Sequence, residues 1–221
     1  MEWAILSGVP EDVRRHVLAT ARLRRFARNE VVFHEGDPAD TFHLIAKGRL
    51  AVKVSTVLGE TAMLAVLGRG DFFGELALLS AHTRTATVVA LEPAETMAIH
   101  RDSFDELRAE HPSIQAFLAE VLGEQVRRLS VQVTEALYVP ADRRVLRRLA
   151  GLVEVYGPSD GAGVEIPLTQ DDIATLAGTS RATVNRVLGE AEKLGIVSVG
   201  RMRVTVVDPA SLAAKAGGTE P

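Results

Sequence analysis

Phe73-Gly74-Glu75-Leu76-Ala77-Leu78, followed after five residues by Arg84-Thr85-Ala86-Thr87-Val88, is the stretch that decides the fold. Glycine permits close backbone approach, and successive N–H groups can then point at an anion. Arg84 supplies a planar cationic fork for phosphate oxygens, and the Thr85 hydroxyl beside it adds a hydrogen bond. Glu75 offers a carboxylate that accepts from a sugar hydroxyl. The set suits a cyclic nucleotide. Gly-Glu and Arg-Thr taken singly would read as an ordinary ion pair beside a glycine turn. Their joint spacing makes a phosphate cradle the better reading.

The surroundings of this stretch are β-rich. Short apolar runs, Val31-Val32-Phe33, Phe42 to Ala46, Leu50 to Val54, Met63 to Leu67, Val88 to Leu91 and Thr96 to Ile99, are punctuated by Gly36, Gly48, Gly59, Gly70 and Pro93. Many short strands with evenly spaced turns predict a sandwich or barrel. A helix over Glu11 to Ala21 precedes them, with Pro10 suited to its start.

From Ile114 the period changes. Phe117, Leu118, Val121, Leu122, Val126, Leu129, Val133 and Leu137 recur at gaps of one, three and four, the signature of a long helix. Leu122, Val126, Leu129 and Val133 suit a coiled-coil seam, which points to a homodimer. Pro140 ends this helix or bends the chain after it. The expected organisation is a sensor domain over 1–110, a dimerisation helix and hinge over 111–139, and a third part over 140–221.

That third part opens with a helix from Ala141 to Val155 carrying Arg143, Arg144, Arg147 and Arg148. A Gly/Pro/Ser loop follows, Tyr156 to Gly163. Thr169-Gln170-Asp171-Asp172 is a capping-box-like helix start with Asp in place of the usual Glu or Gln. Ile173 and Leu176 give that helix an apolar face, Ala174 allows close crossing and Gly178 allows the turn. Ser180 caps a second helix buried through Val184, Val187 and Leu188. The pattern is a helix-turn-helix, whose second helix presents its N-terminal residues to the DNA major groove. An ordinary α-hairpin with solvated arginines is the plainer alternative. Gly195 to Asp208 reads as strand, turn and strand, a wing whose Arg201 and Arg203 are placed for backbone phosphates. A frayed tail is expected after Ala213.

Composition narrows the rest. The chain has 221 residues, 25 Lys+Arg against 29 Asp+Glu, and no Cys. Disulfides, thiolate zinc sites, cysteine-ligated iron–sulfur clusters and a cysteine nucleophile are excluded. Bulk charge gives no nucleic-acid signal, so DNA binding must rest on clustered arginines. There is no signal-peptide-like start and no apolar run of the roughly 20 residues a bilayer span needs, so the expectation is a soluble, cytoplasmic protein without membrane contact. A cupin-type oxygenase would need clustered His and carboxylate ligands, which the scattered histidines do not provide. No catalytic residue, metal site or enzymatic activity is expected.

The cradle resembles the cyclic-nucleotide-binding domain signature over its whole length. Sensor, long apolar helix and winged helix-turn-helix follow in the order of the CRP/FNR family of bacterial transcription regulators. The resemblance implies an α+β architecture: an N-terminal β-roll (a double-stranded β-helix), a long dimerisation helix and a C-terminal winged helix-turn-helix. It implies cyclic AMP as the favoured allosteric ligand, held by Gly74, Glu75, Leu76, Ala77, Arg84 and Thr85, with Ser130 toward the base. It implies a homodimer on a near-palindromic operator in double-stranded DNA, with half-sites roughly 34–36 Å apart. The DNA-contacting set is Thr169, Gln170, Ser180, Arg181, Ala182, Thr183, Asn185, Arg186 and Arg201. RNA polymerase is a further implied partner, met in loops such as Gly157 to Gly163.

Three departures bear on these expectations. Where the family's cyclic AMP pattern has Thr-Ser on the long helix, this chain has Leu129-Ser130. That leaves open a constitutive regulator with a degenerate pocket, or a different effector. Where the recognition helix of that pattern has Arg-Glu and a later Arg, this chain has Arg181-Ala182 and Arg186. Alanine cannot accept from cytosine N4, so a related but relaxed or shifted half-site is expected. The cysteines of the FNR branch are missing, and a haem-type histidine would have to be His34, His43 or His82.

Overall fold

The apolar runs of the first hundred residues pair as two antiparallel four-stranded sheets. The computed structural model describes residues 3–6, 10–57, 59–76, 83–157 and 163–217. The strands are β1 (Arg22–Phe26), β2 (Val31–Phe33), β3 (Thr41–Lys47), β4 (Leu50–Ser55), β5 (Thr61–Leu67), β6 (Phe72–Phe73), β7 (Thr87–Ala90) and β8 (Ala94–His100). One sheet has the order β1-β8-β3-β6 and the other β2-β7-β4-β5. Phe26, Ile45, Phe73 and Ala94 of the first sheet share a buried cluster with Leu50, Val88 and Ala90 of the second, so the sheets close on one another. The outer face of the first sheet, through Phe42, Leu44 and Ile99, is covered by Trp3, Ile5, Leu6 and Val17, and by Phe104, Leu107, Ile114 and Leu118. β3 is therefore buried on both faces, which is why its sequence reads as a continuous apolar run. Trp3 donates its indole N–H to the Ile45 carbonyl at 3.0 Å.

Helix α1 spans Glu11–Thr20, α2 Arg101–Glu110 and α3 Pro112–Tyr138. Two of these elements depart from the sequence reading. β1, Arg-Leu-Arg-Arg-Phe, has only Phe26 buried, so its arginines hide any strand alternation. α2 keeps only Phe104 and Leu107 buried and carries too short an apolar stripe to announce itself. α3 confirms the long helix. Ile114 and Leu118 are in the core, whereas Val126, Leu129, Val133 and Leu137 are 52–69% exposed on a single chain.

By contact pattern the chain forms two units, Met1–Ser55 with Ala65–Ser130, and Thr56–Leu64 with Val131–Pro221. The second contains α4 (Ala141–Tyr156), β9 (Val164–Ile166), α5 (Gln170–Ala177), α6 (Arg181–Lys193), β10 (Val197–Gly200), β11 (Arg203–Val206) and α7 (Pro209–Ala216). Its sheet runs β10-β11-β9, all antiparallel. α7 corrects the expected fraying after Ala213. The Asp208 side chain caps it, Leu212 and Ala216 are buried, and left-handed Gly217 ends it. Residues 158–162, in the loop expected to meet RNA polymerase, lie outside the described residues, as do 218–221.

The expected hinge lies at the end of the long helix, beside Pro140. Across that link, Glu135 on α3 accepts from Arg147 at 2.8 Å and from Arg148 at 2.7 Å on α4. Its carboxylate is buried while both arginines keep some water. Removing the acid strands two cations that can partly rehydrate. Glu135→Ala is expected to cost about 1–3 kcal/mol, less than a fully buried pair. The urea midpoint of the far-UV circular dichroism transition of the second unit should fall. The fluorescence transition of the lone tryptophan, Trp3, which reports the first unit, should stay in place.

Candidate functional site

Arg84 follows an isolated bridge between Pro38 and Thr83 and precedes β7. Its backbone is fixed from both sides. It donates its N–H to the Asp37 carbonyl at 2.8 Å, and its own carbonyl accepts from Gly36 at 2.9 Å. Its side chain is buried at 4% exposure. Nη1 donates to the Thr41 carbonyl at 2.7 Å and Nη2 to the Thr41 hydroxyl at 2.8 Å. The guanidinium lies over the Phe33 ring, 4.0 Å from its centroid. Gly74, at φ +92°, passes directly beside it: a Cβ there would stand 2.8 Å from Nη1 and 3.1 Å from the Thr41 carbonyl oxygen. Close backbone approach is thus what this glycine provides.

Charge is what the arrangement leaves uncompensated. Among the described residues the nearest carboxylate on Arg84 is Asp40, at 3.7 Å and itself 71% exposed. Among the described residues the buried Nε–H has no acceptor. Burial pulls the Arg84 pKa down, Asp40 opposing and Arg101 adding to the effect. An inward-facing guanidinium with an orphaned donor has the chemistry to hold an anion.

Glu75 is also buried and is not the partner of Arg84. Its Oε1 accepts from Gln125 Nε2 of α3 at 3.1 Å. Burial raises its pKa, against the opposing hydrogen bonds from backbone and Gln125. Leu76 is half-buried beside it and Thr85 is exposed. Ala77 and His82 lie outside the described residues. Ser130 is exposed on α3 with its hydroxyl donated back to the Val126 carbonyl at 2.9 Å. Sequence reasoning missed Thr41, Phe33, Asp40 and Gln125 as parts of this site. Thr41 acts partly through its backbone carbonyl, which no motif encodes.

His43 is no surface ligand. It is 4% exposed, stacked on Phe73 at 4.9 Å, with Nδ1 3.0 Å from the Thr96 hydroxyl and Nε2 3.1 Å from the Thr41 hydroxyl. Burial, helped by the Arg84 and Arg24 charges, pushes its pKa down to about 3. It is a neutral core residue bracing Thr41. Among the described residues no His/Cys/Asp/Glu group could hold a metal ion, and no helix is long and apolar enough to cross a membrane.

In the second unit Thr169 and Asp172 form the capping box in full, Ser180 caps α6, and Gly178 is left-handed at φ +60°. Ile173, Ala174, Ala177, Val184, Val187 and Leu188 are buried. Arg181, Ala182, Asn185 and Arg186 are left exposed on α6, with Thr183 half-buried. Gln170, half-buried at the start of α5, accepts from Asn185 at 3.3 Å. Arg201 stands exposed in the β10–β11 turn beside Met202, a non-glycine residue at φ +59°. Arg203 is engaged by Glu165 at 3.4 Å. The α4 arginines divide differently from their sequence clustering. Arg144 donates to the carbonyls of Val139, Ala177 and Gly178, and Arg147 and Arg148 hold Glu135. They hold the domain together, while the arginines of α6 and the wing stay exposed.

Residues 23–111 match the family described as cyclic nucleotide-binding domain, and residues 143–215 the Crp-like helix-turn-helix domain. A Thermus thermophilus protein, the cyclic AMP receptor protein, is 31% identical over 203 residues, 92% of this chain and 91% of its own. A CRP-like cAMP-activated global transcriptional regulator of Mycobacterium tuberculosis is 28% identical over 193 residues, 86% of each chain. The structure of the c-di-GMP-responsive global regulator CLP of Xanthomonas campestris matches in fold with a TM-score of 0.76. It covers 89% of this chain and 99% of that one at 21% identity.

The buried Glu75 carboxyl gives a pH test. Its folded pKa lies above its unfolded one, so ionisation costs stability. The cost is absent below the ordinary value of 4.5, where both states hold the proton, and complete above the folded pKa. Glu75→Gln keeps an oxygen for Gln125 and removes the charge. It is expected to raise the urea midpoint seen by Trp3 fluorescence at neutral pH, with the gain vanishing as pH falls through the carboxylate range.

Proposed function

The chain belongs to the CRP/FNR family of transcription regulators, and from that membership we propose that it is a homodimeric reader of duplex DNA gated by a cyclic nucleotide, with cyclic AMP favoured. The observation that carries the gating is Arg84, a buried cation with an orphaned N–H beside a glycine that clears the approach. The cyclic phosphate is received by Arg84, the backbone N–H groups following Gly74, and the Thr85 hydroxyl. A ribose hydroxyl donates to Glu75. Because Glu75 already holds Gln125 of α3, ligand acts on a group tied to the long helix. A ligand shifts the protein toward the DNA-binding state only by its difference in affinity for the two states. The exposed Val126, Leu129, Val133 and Leu137 form the dimer seam, and Arg181, Asn185, Arg186 and Arg201 meet the DNA. Regulation of transcription brings the bound dimer to RNA polymerase.

Leu129 favours a second reading. An exposed leucine beside Ser130 strengthens a seam and offers an adenine nothing to hydrogen-bond. On that reading the pocket is a scaffold or serves a different effector, and DNA binding is constitutive.

Isothermal titration calorimetry with cyclic AMP and cyclic GMP separates the two. Saturable binding of cyclic AMP, weakened about 100-fold or more in Arg84→Ala, is the expected result, since charge-assisted hydrogen bonds are worth about 1.5–3 kcal/mol each. No heat with either nucleotide would leave the second reading. For the seam, Val126→Glu is expected to shift the sedimentation of the protein from dimer to monomer.

A further inference from the structure

A hydrogen bond between two neutral side chains joins the helices of the helix-turn-helix on their exposed side. Asn185 Nδ2 of α6 donates to Gln170 Oε1 of α5 at 3.3 Å. Both ends of this bond are held. Gln170 is the first residue of α5, and the reciprocal contacts of Thr169 and Asp172, at 3.0 and 3.1 Å, fix that turn. Asn185 follows one turn after the start of α6, which is set by the Ser180 cap on the Thr183 N–H at 3.2 Å. Ile173, Ala174 and Ala177 of α5 and Val184, Val187 and Leu188 of α6 are buried, so neither helix is free to turn about its axis. Four residues before Asn185, Arg181 meets Asp171, the neighbour of Gln170, at 3.3 Å. Two cross-links thus run from consecutive residues of α5 to one face of α6.

The bond uses one group of Asn185 and leaves two. A carboxamide has an acceptor oxygen and two N–H donors, and one of those donors lies on the oxygen's side. With the outer hydrogen given to Gln170, Oδ1 and the inner N–H stand together on one edge, an acceptor beside a donor. Adenine is the base whose major-groove edge complements this, with the N7 acceptor beside the N6 donor. Guanine shows two acceptors, cytosine a donor, and thymine an acceptor and a methyl group. An untethered asparagine can present its oxygen and nitrogen in either order, whereas one tied through its nitrogen presents them in one. Because a single donor is spent and the partner is neutral, contact with a base leaves the Gln170 bond in place and uncovers no charge. Between Arg181 and Arg186 the polar side chains are Thr183 and Asn185. Thr183 is half-buried with its hydroxyl 3.0 Å from that of Ser180, and Asn185 is exposed.

We propose that Asn185 is a specificity-determining residue that reads an adenine, and that Gln170 is the residue that positions it. The role rests on the DNA-binding reading above and adds the identity of one base to it. Gln170 acts through Asn185, by fixing which way round the carboxamide faces the groove. Preorganisation of this kind raises discrimination between bases more than it raises affinity for DNA at large.

The test uses the full chain. Selection from a random duplex pool, with and without cyclic AMP, defines the preferred sequence of the wild type. Each adenine of one half-site is then replaced in turn by 7-deazaadenine, which lacks the N7 acceptor, and by purine, which lacks the N6 donor, and binding is read by fluorescence anisotropy. For the wild type, both analogues are expected to weaken binding about threefold to tenfold at one and the same position. Asn185→Ala should bind the natural duplex about 5- to 150-fold more weakly and show no response to either analogue there. Gln170→Met, close in size and without the acceptor, should cut the response to less than about twofold. Gln170→Glu keeps an acceptor and should restore the response, although its charge weakens binding to every duplex. A merely structural role for Gln170 would lower affinity for all duplexes alike and leave these ratios unchanged. Analogues without effect at every adenine, or a response that survives Asn185→Ala, would overturn the reading of adenine. A full response in Gln170→Met would overturn the positioning role. A wild type that enriches no sequence would overturn the DNA-binding reading and both roles with it.

Discussion

A buried arginine must be answered, and the N-terminal unit is arranged around answering Arg84. Thr41 gives it a carbonyl and a hydroxyl, Phe33 a ring face, and Gly74 the room to lie where it does. Thr41 is in turn braced by His43, which desolvation keeps neutral so that no second cation enters the site. These contacts orient the guanidinium and give each Nη one acceptor without neutralising it. The remaining demand for negative charge is the feature on which the proposed ligand recognition rests. It explains why a cradle of neutral groups, with its nearest carboxylate mostly in water, is preferred to an internal ion pair that would have been more stable.

Arginine does three separate tasks along this chain. In the sensor one arginine is buried and left short of charge. At the junction of α3 and α4, Arg144, Arg147 and Arg148 spend their donors on carbonyls and on Glu135, bracing the link after the long helix. On α6 and the wing, arginines stay exposed, with Arg201 in the β10–β11 turn and Arg186 tied to carboxylates. Sequence proximity of basic residues is therefore a poor guide to exposed positive charge: three arginines of the α4 cluster are engaged within their own domain.

Most of the architecture was legible because local chemistry and periodicity agreed. Thr169, Asp172, Gly178 and Ser180 behave as caps and turn residues, as their types dictate, and the spacing of Val184, Val187 and Leu188 sets the buried face of α6. β1 was missed because exposed arginines mask its alternation, α2 because two buried residues make a weak stripe, and α7 because Asp208 was read as the end of the wing when its side chain caps a further helix. At the site, Gly74, Glu75 and Arg84 were legible through spacing. Thr41 and Gln125 were not, because each touches a residue far away in sequence, and Thr41 does so partly through its backbone.

The claim that joins the two units is that occupation of the Arg84 cradle strengthens DNA binding. It is tested most directly by titrating the protein against its selected duplex in the absence and presence of saturating cyclic AMP, for wild type and Arg84→Ala side by side. The account predicts a gain of about 5- to 150-fold for the wild type, the usual range of coupling between sites, and none for the variant, which should bind as the ligand-free wild type does. Equal affinity of the wild type with and without nucleotide, or an undiminished response in Arg84→Ala, would contradict it.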